Sequence, residues 1–308
     1  MAEDAKVHEL VIVGAGPSAL AAAIYTTRED IDTVLFEKGV PGGLAAVTDW
    51  VDNYPGFAKG ISGMDLAEEL RQQAERFGAD IRLGEVLSIK DGGDHRILQT
   101  TDGTVKAKVV LIATGTDYKK IGVPGEEEFY ARGVHYCATC DGAFYRDKKI
   151  VVVGGGNSAV QEALFLTRFA THIDLLVRST IKASDVLVHE LEKNPKITVH
   201  LNTSTDAIVG EGGKVTKVEA TKDGAKTEFP TDGVFVFVGL KPNTQFLKES
   251  EVRLDEIGFV IAEQGLKTSM PGVFASGDVR SGATMQIASA VGEGATAALR
   301  IREFLEAK

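Results

Sequence analysis

The chain has 308 residues, 44% hydrophobic and 25% charged, with a formal net charge of −10. That length predicts about two domains of roughly 150 residues, each able to bury a core. The acidic balance argues against a nucleic-acid or anionic-membrane surface, no run approaches about 18 apolar residues, and the acidic start Met1-Ala2-Glu3-Asp4-Ala5-Lys6 does not read as a signal peptide.

In chain order, residues 9–13 (ELVIV) read as a buried strand, Gly14-Ala15-Gly16-Pro17-Ser18-Ala19 as a G-x-G-x-x-A turn, and the alanines after it as the start of a helix. The first glycine of such a turn bends the chain and the second lets a pyrophosphate approach the backbone. The small Ala19 allows close helix–strand packing, and the helix N-terminus faces the phosphates. The next strand, Thr33-Val34-Leu35-Phe36-Glu37, ends in an acid 21 residues beyond Gly16, where an adenosine ribose 2′-hydroxyl is bound in this motif. Residues 109–116 (VVLIATGT) form a further buried strand ending in a small-residue turn, Ala113-Thr114-Gly115.

The same form recurs 140 residues after the first: strand 149–153 (KIVVV), then Gly154-Gly155-Gly156-Asn157-Ser158-Ala159, then a helix. A repeat of this length is one of whole domains, because solenoid periods run to about 20–50 residues. The position equivalent to Glu37 is Val177, followed by Arg178, Ser179 and Lys182. An acid there would repel a 2′-phosphate and an arginine would accommodate one, so the second turn leans toward NADP and the first toward a dinucleotide with a free ribose. Ordinary surface charges on a loop are the alternative reading of Arg178 and Lys182. Toward the C-terminus, residues 272–279 (GVFASGDV) read as another strand and turn, and the Gly/Ala-rich run 281–298 as a long helix. If these last segments belong with the first turn, the second domain is inserted into the first. The crossings then fall near 117–124 and 239–244, giving 1–117 with 244–308 and 118–243.

Every cysteine of the chain lies in Tyr136-Cys137-Ala138-Thr139-Cys140-Asp141-Gly142. Two cysteines make no disulfide framework, which fits a reducing cytoplasm. A zinc site needs about four ligands, and the six histidines offer no usual spacing to this pair. A structural disulfide over so short a loop removes little chain entropy, and a buried small hydrophobe is the plainest alternative. A redox dithiol stands above these readings, because a C-x-x-C pair beside a flavin and a nicotinamide could be opened by the one at the expense of the other. Asp141 reads equally as the proton carrier of such an exchange and as a helix or turn cap. His135 and Trp50 stand out as lone residues, for which packed or surface roles read better.

On the motifs Gly14–Ala19, Asn53-Tyr54-Pro55-Gly56-Phe57, Ala113-Thr114-Gly115, Cys137–Gly142, Gly154–Ala159 and Gly277-Asp278-Val279, the chain resembles the low-molecular-weight thioredoxin reductases along nearly its full length. The resemblance implies an α/β fold of two Rossmann-like domains, the second inserted into the first. It further implies a homodimer with one FAD per chain, domains that rotate relative to each other, NADPH as donor, and thioredoxin or a thioredoxin-like protein as acceptor. Carried over position by position, Gly14, Gly16 and Glu37 would hold the pyrophosphate and ribose of FAD, Asn53 the flavin edge and Asp278 the ribityl chain, with Gln286, Ile287 and Ala288 near the ring. Pro17, Ser18, Ala19, Phe36, Lys38, Gly42, Gly43, Leu44, Ala113, Thr114, Gly115 and Gly277 would complete the FAD site. Gly154, Gly156, Asn157, Ser158, Ala159, Arg178, Ser179 and Lys182 would hold NADPH, and Cys137, Cys140 and Asp141 would carry the chemistry, with no metal. Three departures concern the donor. The run after Val177 keeps one arginine and a lysine where the family has three arginines, Leu44 replaces a glutamine, and Thr284-Met285 replaces a Tyr-Arg pair. NADH, reduced ferredoxin or another carrier as donor, another disulfide protein as acceptor, and a non-catalytic flavin redox sensor are the alternatives.

Overall fold

A computed structural model describes residues 6–48 and 50–307; the acidic stretch Met1–Ala5 read above lies outside the described residues. Chain contacts separate Tyr118–Leu240 from a unit formed by the described residues up to Asp117 together with those from Lys241 onward.

The first unit is built on a seven-stranded mixed sheet. Its parallel part runs in the order Asp80–Leu83, Thr33–Glu37, Val7–Val13, Gly103–Ile112, with Val273–Ala275 also parallel to the last of these. These strands are Val/Ile/Leu-rich because both faces are covered, as parallel sheets require; Leu10, Val11 and Ile12 have no exposure. Arg96–Thr100 and Val86–Asp91 extend the sheet antiparallel. One face carries the alanine-rich helix Pro17–Thr27, which packs on the C-terminal helix Ile287–Glu306. The contact is close enough that a side chain at Gly294 would collide with the Ser18 carbonyl, which is why only glycine fits there. The C-terminal helix starts later than the Gly/Ala-rich run predicts. Residues 281–286 form a loop because Gly282 (φ 75°) and Met285 (φ 57°) take left-handed backbone that ends helical geometry.

The second unit holds a five-stranded, all-parallel sheet in the order Ile197–His200, His172–Leu176, Lys149–Val153, Gly233–Val236, Val134–His135. The helix Asn157–Leu166 buries Ala159, Val160, Ala163 and Leu166 in its core. An antiparallel three-stranded meander, Thr203–Glu211, Lys214–Lys222 and Ala225–Pro230, completes it. Both units are therefore α/β, with a parallel sheet feeding a glycine turn.

Candidate active site

In the first unit Gly14 adopts φ 103° directly after the strand, and an added Cβ would lie 2.6 Å from the Ala113 carbonyl oxygen. Only glycine fits that turn. Gly16 is the extended N-cap of Pro17–Thr27 and supplies no side chain to the helix's first amides, while Pro17 removes one donor that would be unpaired anyway. Space around a Cβ at Gly16 is open. A backbone donor set facing open space at a helix N-terminus fits a pyrophosphate. Glu37 accepts from Ala15 N at 2.8 Å and from Gly39 N at 2.8 Å, so its carboxylate is fixed at the strand end. Gly14, Phe36, Glu37, Lys38 and Thr114 line one open cleft together with Glu85, Val86, Asn243, Gln245 and Phe246. Asn243 is held there by two bonds, its carbonyl accepting from Thr114 Oγ1 at 2.7 Å and its side chain donating to the Thr114 carbonyl at 3.2 Å. The cleft-lining residues after 242 and at 85–86 carry no sequence motif.

Gly42 (φ 110°) donates its N–H to the Ala15 carbonyl at 2.7 Å, and Gly43 and Leu44 open a one-turn helix, Gly43–Ala46, beside the glycine turn. Asn53 Nδ2 donates to Gln286 Oε1 at 3.1 Å, joining two residues 233 positions apart. Gln286 is the N-cap of Ile287–Glu306, but its side-chain amide donates to the Met285 carbonyl instead of capping, which leaves the helix's first amides to another acceptor. Gly277 (φ 73°) donates its N–H to Glu293 Oε2 at 2.8 Å, and Glu293 is ion-paired with Arg280. Burial, reinforced by the Glu293 charge, pushes the neighbouring Asp278 carboxyl up to about 6. The residues at this end of the unit thus fit a dinucleotide with a long polar chain: open amides, a fixed carboxylate, and a second carboxyl ready to share hydrogen bonds with hydroxyls.

The second turn repeats the first. Gly14 N donates to the Phe36 carbonyl at 2.8 Å, and Gly154 N donates to the Leu176 carbonyl at 3.1 Å, each pair 22 residues apart. At φ 148° a side chain on Gly154 would collide with the Phe237 carbonyl. Gly156 is the extended, side-chain-free N-cap of Asn157–Leu166, with open space around it. Asn157 Oδ1 accepts from Ser184 N at 2.8 Å, Ser158 is exposed, and Ala159 is buried under the turn. The loop after His172–Leu176 folds back on the turn through Lys182 N to the Gly155 carbonyl at 2.6 Å, which brings exposed Arg178, Ser179 and Lys182 around the glycines.

Cys137 and Cys140 are joined in a disulfide with Cα atoms 5.3 Å apart. Cys137 is the N-cap of the four-residue helix Ala138–Asp141, and its Sγ accepts from Cys140 N at 3.2 Å. Both cysteines are half-buried. Asp141 does not cap the following turn with its side chain, which removes the capping reading. Its carboxylate instead lies 3.2 Å from His135 Nδ1, and His135 Nε2 lies 2.7 Å from the Tyr145 hydroxyl. On the other flank, Tyr136 donates its hydroxyl to Glu126 at 2.8 Å, and fully buried Glu126 also accepts from Ile121 N and Gly122 N. His135, Tyr145 and Glu126 were not singled out as functional from the sequence. Trp50 is 41% exposed and donates to Asp52 at 3.0 Å.

Two glycine-turn nucleotide units, one of which bears a C-x-x-C disulfide, are the parts of a nucleotide-dependent disulfide oxidoreductase. The family described as "Pyridine nucleotide-disulphide oxidoreductase" matches residues 8–294. The chain is 40% identical to a thioredoxin reductase of Listeria monocytogenes over 99% of its own length and 96% of the relative's. It is 39% identical to one of Bacillus subtilis over 98% and 96%. A solved thioredoxin reductase of Streptococcus pyogenes superposes with a TM-score of 0.94 at 38% identity, covering 98% of this chain and 99% of that one. The chain belongs to the pyridine nucleotide-disulphide oxidoreductases, in the low-molecular-weight thioredoxin reductase branch. No helix among the described residues is long and apolar enough to cross a membrane.

Proposed function

We propose that this chain is a thioredoxin reductase that carries two electrons from NADPH, by way of FAD, to Cys137–Cys140 and on to the disulfide of a thioredoxin. The observation that carries the reading is the Cys137–Cys140 disulfide, set in a unit with its own nucleotide turn, in a chain matching proteins named thioredoxin reductase end to end. Gly14, Gly16 and Glu37 would hold the pyrophosphate and ribose of FAD, Asp278 its ribityl chain, and Asn53, Gln286 and the start of Ile287–Glu306 its ring. FAD, when bound, takes a hydride from a nicotinamide and gives up the electron pair to a disulfide.

The remaining chemistry belongs to this chain. On accepting two electrons and two protons, Cys137–Cys140 becomes a dithiol. The Cys140 N–H directed at Cys137 Sγ favours negative charge on that sulfur, which makes Cys137 the attacking thiolate. Its bond to one sulfur of the acceptor disulfide releases the other sulfur as a thiolate, protonated from the site. Cys140 then attacks Cys137 Sγ, reforms the intramolecular disulfide and expels the second thiol. Asp141 holds and returns the proton this exchange moves. Arg178, Ser179 and Lys182 would read the 2′-phosphate of NADPH, a homodimer would be the working assembly, and a reducing cytoplasm suits a chain whose only cysteines form a redox pair.

Anaerobic reduction of the purified flavoprotein, titrated in parallel with NADPH, NADH and reduced ferredoxin, tests the donor. NADPH is expected to bleach the flavin fastest, and equal rates with NADH would remove the role given to Arg178 and Lys182. Cys137→Ser and Cys140→Ser are each expected to abolish thioredoxin turnover while leaving flavin reduction intact. Turnover surviving in either would end the proposed route. A second reading, a different donor, is favoured by one observation, the loop Val177–Lys182 with its single arginine, and the same titration decides it.

A further inference from the structure

We propose that Glu293 is a positioning residue for the flavin site: clamped by Arg280, it ties the Gly277–Val279 turn to the C-terminal helix, so that Asp278 and the start of that helix keep a fixed place relative to the pyrophosphate cradle. The proposal deepens the thioredoxin reductase reading and rests on it for the assignment of FAD to the first unit.

The helix Ile287–Glu306 buries a stripe of small and apolar residues, Ala290, Gly294, Ala297 and Ile301. Glu293 falls beside that stripe, about two turns after Gln286. Its side chain is only 19% exposed and that of Arg280 16%, and a carboxylate so placed has to be paired. Glu293 Oε2 accepts from Arg280 Nε at 2.8 Å and from Gly277 N at 2.8 Å, while Oε1 accepts from Arg280 Nη2. The guanidinium fork holds both carboxylate oxygens in one orientation, which aims Oε2 at the Gly277 amide. Gly277, in left-handed backbone (φ 73°), opens the three-residue turn that contains Asp278. Arg280 closes the same turn, its N–H donating to the Gly277 carbonyl at 3.1 Å. Glu293 therefore grips the turn at both ends, at one through a backbone amide and at the other through a side chain.

The turn and the helix both meet the first helix of the unit at Ser18. Ser18 Oγ and Ser276 Oγ share a hydrogen bond at 2.7 Å, and both residues are buried. A Cβ added to Gly277 would lie 3.0 Å from the Ser18 Cβ, and one added to Gly294, next to Glu293, would collide with the Ser18 carbonyl. Ser18 stands in the first turn of Pro17–Thr27, two positions after Gly16. Three segments far apart in sequence are thus packed at one point with no slack. Each carries a different part of the candidate site: the amides after Gly16, the Asp278 carboxyl, and the amides after Gln286. A long ligand that spans all three binds more tightly when their spacing is set beforehand. A buried ion pair is weak support for stability, because desolvation offsets the attraction. What this pair supplies is position.

The test strips FAD from the full chain and measures the affinity for added FAD by flavin fluorescence, together with the competition of ADP against it. ADP can fill the pyrophosphate cradle but reaches neither Asp278 nor the ring end. The competition reads the first site alone, whatever ADP does at the second turn. Glu293→Ala is expected to weaken FAD by about 10-fold or more, the value of a hydrogen bond to a charged acceptor, and to leave ADP unchanged. Glu293→Gln keeps the acceptor and the length, and is expected to restore most of the FAD affinity. Glu293→Asp keeps the charge but falls one methylene short, and is expected to behave like Glu293→Ala, which separates reach from charge. Arg280→Met releases the clamp and is expected to give a smaller loss, with nothing further when combined with Glu293→Ala, because both act through one contact. FAD affinity unchanged in Glu293→Ala overturns the proposal, and so does equal weakening of FAD and ADP, which would make Glu293 a folding residue only. If Glu293→Ala does not fold, Glu293→Asp binding FAD as tightly as Glu293→Gln overturns it. Protein that shows the expected FAD and ADP pattern but reduces no thioredoxin with any donor would instead sink the functional reading and leave the positioning role standing.

Discussion

The two glycine turns share a backbone fold and differ in the side chain that follows the next strand. In the first, Glu37 reaches back and accepts the Ala15 N–H at 2.8 Å. In the second, the equivalent position is Val177, 2% exposed, and a Cβ added to Gly155 would lie 2.7 Å from its Cγ1 methyl. The same strand–turn–helix geometry thus presents a fixed negative charge in one unit and a methyl group in the other. The difference teaches that the turn supplies a pyrophosphate cradle, while the residue after the next strand decides which ribose the cradle accepts.

The largest effect should come from the turn itself. Gly14→Val places a branched side chain at φ 103° and 2.6 Å from the Ala113 carbonyl, and is expected to yield flavin-free protein less stable by more than about 2 kcal/mol. Gly154→Val is expected to leave the flavin in place and abolish reduction by NADPH. Flavin absorbance of the purified variants checks both, and flavin retained by Gly14→Val would break the assignment of the first turn.

The first unit carries a second carboxyl whose protonation bears on stability. Burial, reinforced by the Glu293 charge, pushes the Asp278 carboxyl up to about 6 in the folded chain, above the ordinary aspartate value near 4, so the folded state binds this proton more tightly. Stability of the flavin-free protein therefore falls as pH rises between about 4 and 6, and the cost levels off above that at no more than about 3 kcal/mol. Asp278→Asn is expected to raise stability of the flavin-free protein at pH 8 by up to that amount and to change little at pH 4. Urea unfolding at the two values checks it, and equal gains at both would show that desolvation of the charge is not the cause.

Much of this was legible because it is local. Both glycine turns lie in runs of six residues that follow continuous apolar strands, and the two cysteines lie within four residues of each other, so none of these needs a distant partner to be recognised. Asn243, Gln245 and Phe246 were not legible, because they reach the first cleft only through the return of the chain more than 120 residues after Thr114. His135 and Asp141 are six positions apart, yet they meet only because a one-turn helix folds the chain back beside the strand end. The start of the C-terminal helix was misread for a local reason: composition promised helix from 281, whereas Met285 sits at φ 57° and delays it to Ile287.

Swapping the side chain that distinguishes the turns tests the rule directly. Val177→Glu restores to the second turn the acid of the first, and is expected to lower the NADPH-to-NADH ratio of kcat/KM about 100-fold. An equal loss with both donors would mean that the substitution only disturbs packing at a buried position.

Arg178 gives the smallest expected effect and the finest discrimination. Its guanidinium lies on the loop that Lys182 N ties to the Gly155 carbonyl, so it can approach a 2′-phosphate without contributing to the fold's core. Arg178→Ala is expected to weaken NADPH by about 10-fold, the value of one charge-assisted contact in solvent, and to leave NADH unchanged. Because the residue is exposed, the loss should shrink as salt rises and screens the pair. A loss shared by NADH, or one indifferent to salt, would place Arg178 against the pyrophosphate or in loop packing. Lys182 would then be left to meet the 2′-phosphate alone, as a point charge without the bidentate fork.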